Sequence, residues 1–121
     1  MESSDLADAL VRACRTAVGD ELRSVTYFDP ETVSQLYLRD DLSRDADLVG
    51  FAEAERLGFR SKSVYSASEL GDYQYTIRVF ESGFLTRVIN DGRGVFVTTD
   101  GMRLERFGDL AAAVEDVLAT E

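Results

Sequence analysis

Apolar residues enter the chain at helical spacing, with Leu6, Ala9, Leu10, Ala13, Cys14 and Ala17 on one stripe. Ser4 or Asp5 can cap the start, and Gly19 can end the helix in the left-handed conformation, so the pattern predicts a helix over 5–18. The spacing then changes. Residues 22–28 are rich in β-branched and aromatic side chains and read as a strand. Asp29, Pro30 and Glu31 make a turn, with Pro30 suited to opening one helical turn, and a second strand covers 35–39. Asp40 and Asp41 close it. Ser43 or Asp45 can cap a second, less amphipathic helix that carries Leu48, Val49, Phe51, Ala52 and Leu57 and stops at Gly58. Residues 59–71, with serines at 61, 63, 66 and 68, read as a connection with a helical turn before Gly71.

Strict alternation follows. Tyr73, Tyr75, Ile77 and Val79 fall on one side of a strand, and Gln74, Thr76, Arg78 and Phe80 on the other. Ser82 and Gly83 turn the chain into a partner strand over 84–89. Asn90, Asp91 and Gly92 turn it again into a third strand over 95–99. Phe107, Leu110, Ala113, Val114, Val117 and Leu118 make the most regular helical stripe in the sequence. The expected order is α-β-β-α-β-β-β-α. This is an α+β domain with a mainly antiparallel five-stranded sheet and a helix near each chain end, a single unit spanning 1–121.

Composition agrees with a folded domain, since 45% of the residues are apolar and proline occurs once. No apolar run approaches membrane-spanning length, and Met1, Glu2, Ser3, Ser4 and Asp5 lack the character of a signal peptide, so a cytoplasmic location is expected. A single cysteine excludes an intrachain disulfide. Without histidine the usual zinc or copper sites are out of reach, and no EF-hand pattern occurs, so neither metal nor cofactor is expected.

Charge is more informative. Against 23 acidic residues stand 13 basic ones, for a net charge of -10, and Lys62 is the sole lysine. At ordinary ionic strength that surface repels itself, whereas concentrated salt screens it, which suits a saline cytoplasm. The same charge argues against nucleic acid and anionic membranes as partners.

Two stretches carry a resemblance. Residues 24–42 (SVTYFDPETVSQLYLRDDL) and 73–101 (YQYTIRVFESGFLTRVINDGRGVFVTTDG) resemble a family of small acidic haloarchaeal domains of unknown function, which implies no activity. The order of elements is separately similar to that of Roadblock/LC7 and profilin-like domains, in which a five-stranded antiparallel sheet packs between helices. That is a likeness of topology, and function has to be argued from a site.

Candidate chemistry is sparse, and no catalytic residue is expected. Arg39, Asp40, Asp41, Arg44, Asp45 and Asp47 cluster carboxylates, but a solvated loop explains them better than a cation site. Cys14 sits on an apolar stripe with no histidine to activate it. Gly92, Gly94 and Gly101 fit no phosphate-binding motif and read as turn residues. Tyr73, Tyr75, Phe80, Phe84 and Phe96 read as core before they read as a ligand pocket. The arginines of the meander are harder to set aside. If Ser82 and Gly83 alone close the hairpin, Arg78 faces Arg87 directly, beside Phe80 and Leu85; a three-residue turn separates the two. Paired arginines attract a carboxylate, whether from Glu69, Asp72 or the second helix of the same chain, from a second copy, or from an anionic ligand. Arg78, Arg87, Phe80 and Leu85 are therefore the candidate binding or interface residues. The expected function is that of a noncatalytic interaction or regulatory module, self-associating or binding another protein. A small-ligand sensor and an enzyme with a carboxylate site are the alternatives.

Overall fold

A computed structural model describes residues 3–43, 55–60 and 68–120. Helix α1 (Ser3–Val18) ends where Gly19 takes φ +60°, and a short 3-10 turn, Gly19–Glu21, leads into the sheet. The strands are β1 (Leu22–Phe28), β2 (Val33–Leu38), β3 (Thr76–Phe80), β4 (Gly83–Asn90) and β5 (Arg93–Thr99), and helix α2 (Leu104–Thr120) closes the chain. All neighbouring strands are antiparallel, in the order β2-β1-β5-β4-β3. The middle helix expected up to Gly58 falls mostly outside the described residues. Glu55 and Arg56 are helical, and Leu57–Arg60 is a 3-10 turn.

Both long helices lie on one face of the sheet. Their stripes, Leu10, Cys14 and Val18 from α1 and Leu110, Val114 and Leu118 from α2, bury Val25, Val88, Val95 and Val97. At about 25 cal/mol per Å² of apolar surface, this layer is the main favourable contribution to folding. Alternation sends the remaining strand residues to the opposite, distal face. There Phe28, Leu85, Ile89 and Phe96 form a second cluster, and Phe59 packs on it with its ring 5.4 Å from that of Phe28.

The turns depart from expectation in instructive ways. Asp29 and Pro30 open no helical turn; instead Asp29 Oδ1 accepts the backbone N–H groups of Glu31 and Thr32, and β2 begins two residues early. Those hydrogen bonds, the Glu31 N–H foremost, hold the Asp29 carboxyl below its ordinary pKa. Before Gly71 lies a hydrogen-bonded turn, Gly71 N–H to Ser68 O. Gly94 is no turn residue. It lies in β5 beneath Phe28, and a Cβ there would stand 2.3 Å from the ring's Cζ.

Candidate functional site

Glu81 and Ser82, rather than Ser82 and Gly83, close the hairpin between β3 and β4, so Phe80 pairs with Gly83, Arg78 with Leu85 and Thr76 with Arg87. This register is shifted by two residues from direct Arg78–Arg87 pairing. An even shift preserves the face, so the arginines are diagonal neighbours on the distal side. The three-residue alternative, which would have parted them, does not occur. Leu85 is buried between them, and Phe80 is half exposed at the end of the edge strand.

The chain itself supplies a carboxylate. Glu55, helical together with Arg56 and lying over the distal face, is only 2% exposed. Its Oε2 accepts from Arg78 Nε at 2.6 Å, and its Oε1 accepts from Arg87 Nη1 at 3.0 Å. Arg87 is 4% exposed, and its Nη2 also donates to Tyr73 Oη at 2.9 Å and Thr76 Oγ1 at 2.7 Å. Gly58 completes the seat, because a Cβ at that position would lie 2.1 Å from Arg87 Cζ. A buried guanidinium needs an opposite charge and partners for its donors, and this arrangement brings the charge and partners for both terminal nitrogens of Arg87. Arg78 keeps nearly half of its side chain in solvent.

Tyr73 departs from the expected alternation. The β3–β4 ladder stops at Thr76, so residues 72–75 leave the strand line and the Tyr73 hydroxyl reaches the distal face, while Tyr75 packs on the helix-side core. Their departure opens a cleft of about 560 Å³ between this segment and α2, lined by Tyr75, Val88, Ala111 and the carboxylates of Asp72, Glu115 and Asp116. From the sequence, Glu55 is foreseeable only as some residue of the middle helix. Its identity depends on contacts with Arg78 and Arg87, distant in sequence, and no local pattern encodes them.

The other candidates resolve into structure. Arg39 donates to Asp41 Oδ1 at 2.6 Å, to Asp100 Oδ2 at 2.7 Å and to the carbonyl of Asp20, tying the ends of β1, β2 and β5. Asp100 and then Asp41 raise the Arg39 pKa, and Arg39 lowers that of Asp41. Asp40 is exposed, while Arg44, Asp45 and Asp47 lie outside the described residues. Cys14 is fully buried, and burial pushes its thiol up to about 12. Among the described residues no group of three or more acidic or cysteine side chains is placed to hold a metal ion, and no helix is long and apolar enough to cross a membrane.

Solved structures share this architecture at low identity. Myxococcus xanthus MglB is 10% identical, with a TM-score of 0.63 over 99% of this chain and 94% of that one. An MglB described as having a tetrameric arrangement is 11% identical, with a TM-score of 0.60 over 95% and 91%. A Roadblock/LC7 domain from Streptomyces avermitilis is 13% identical, with a TM-score of 0.51 over 90% and 94%. No curated protein matches in sequence. The fold is therefore Roadblock-like, and because the family's sequence model matches residues 8–119, the chain belongs to a domain family of unknown function, DUF7522.

Proposed function

We propose that this chain is a noncatalytic interaction module that associates with a second copy of itself through the edge strand β3 of its sheet. One observation carries the reading: among the described residues β3 is the last strand on its side, and it presents Val79, 75% exposed, and Phe80, 47% exposed, on opposite faces. An edge strand with apolar groups on both faces is a template for another strand, and natural proteins cover or charge such edges. A second β3 laid antiparallel about a two-fold axis would shield both residues and join two sheets into one. Arg78 would not obstruct this, because Glu55 draws its guanidinium inward over the distal face. The MglB with a tetrameric arrangement supports the reading, since a chain of the same fold there builds an assembly of copies.

Val79→Lys tests it. At so exposed a position the substitution should change monomer stability by no more than about 0.5 kcal/mol. Light scattering in concentrated KCl should give a dimer or larger assembly for the natural chain and a monomer for the variant, with unchanged circular dichroism. A natural chain that is monomeric at high concentration sinks the proposal.

A further inference from the structure

We infer that Glu55 is a latch that makes residues 55–60 and the edge strand β3 open and close as one unit. The buried cluster joins segments that are far apart in sequence. Glu55 comes from the short segment crossing the distal face, Arg78 from β3, Tyr73 and Thr76 from the approach to β3, and Arg87 from β4. Arg87 belongs to a strand paired on both sides, so it is the fixed post. The crossing segment grips that post through the Glu55 carboxylate and the flush contact at Gly58. The edge strand grips it through Thr76 and grips the crossing segment directly through Arg78.

Among the described residues, the other hold on β3 is its pairing with β4. Its burial falls from partial at Thr76 and Ile77 to exposed at Arg78, Val79 and Phe80, and among the described residues its backbone ladder runs to β4 alone. Locally unstable segments are those with exposed side chains and a one-sided ladder, and among the described residues β3 shows both. The crossing segment has a second anchor, with Arg56 donating to the carbonyls of Asp29 and Thr32 across the β1–β2 turn. It can therefore hold β3 down from the rigid side of the sheet. Removing the Glu55 charge leaves Arg87 facing a neutral group in a site closed to water, and both grips weaken together. If β3 is also the joint between copies, the latch sets how often that joint is formed. That consequence alone rests on the self-association reading.

Hydrogen–deuterium exchange of the full chain, read by mass spectrometry at one protein concentration, tests the latch. Glu55→Gln should speed exchange in peptides covering 55–60 and 73–80 by a common factor of roughly tenfold or more, leaving β1 and β5 at their natural rates. Acceleration of residues 55–60 without 73–80, acceleration of neither, or equal acceleration of every peptide would each overturn it. Arg78→Lys keeps the charge and loses the two-point contact, so it provides a milder arm if Glu55→Gln does not fold. It should accelerate the same two peptides by a smaller common factor, and acceleration of 73–80 alone would reject the coupling. Light scattering on the same samples separates the readings, because a monomeric natural chain with coupled exchange keeps the latch and discards the self-association.

Discussion

Two residues show how burial decides chemistry. Cys14 lies at the centre of the helix-side core, where no counter-charge compensates a thiolate, so burial lifts its pKa to about 12 from an ordinary value of 9.0. The folded state thus favours the protonated thiol. Its contribution to stability is fully present below about 9 and is lost as pH rises from there through 12, as the unfolded chain ionises first. A thiol reagent should label the native protein only at the rate of opening, so label incorporation should track denaturant concentration; fast labelling of native protein would contradict the burial. Cys14→Ser should cost about 1 to 3 kcal/mol in chemical denaturation, because the hydroxyl enters an apolar site. Glu55 is the opposite case, a charge kept buried by two guanidiniums. Cys14 was legible from the sequence, since helical periodicity alone places it inside. Glu55 was not, because its burial depends on contacts with residues 23 and 32 positions away.

At the scale of elements, local signals located both long helices and all five strands, and they failed at ends and registers. α1 was bounded by Gly19, and its φ of +60° is the conformation that a glycine cap requires. Gly19→Ala should therefore lower stability by about 1 kcal/mol, read as a shifted urea midpoint with an unchanged slope. No change in midpoint would mean that the left-handed cap carries no strain for a side chain. The β4–β5 turn was equally clear: Asp91 at φ 50° and Gly92 at φ 82° satisfy a turn that needs positive φ twice. The β3–β4 hairpin was harder, because Glu81, Ser82 and Gly83 offer several turns of similar cost, and Gly83 entered the strand instead. It fits there because a Cβ would meet the Thr99 carbonyl oxygen at 2.4 Å, a contact made with β5 and invisible to any local rule. The early end of the ladder at Thr76 is similarly tertiary, since Tyr73 leaves the strand line to bond Arg87.

For the whole molecule, the charge predicts how the fold answers to salt. Among the described residues, Asp20, Asp41, Glu55, Asp100 and Glu105 form ion pairs. A net charge of -10 repels itself through solvent, and the compact state concentrates that repulsion more than the unfolded chain does. Salt should relieve it, as the Debye length falls from about 10 Å at 0.1 M to about 3 Å at 1 M. The buried Glu55 pairs are screened far less, so the ions remove repulsion without removing the latch. Association of copies through β3 should respond in the same direction, because it brings two acidic molecules together. We therefore expect the melting temperature to climb between about 0.1 and 2 M KCl, steeply at first and more gently once the Debye length is shorter than the spacing of surface charges. Salting-out of apolar groups also stabilises, but it grows with concentration and differs between anions. KBr should thus match KCl over the first, screening part of the curve and fall below it later. A melting temperature indifferent to both salts would show that the acidic surface does not limit the stability of this fold.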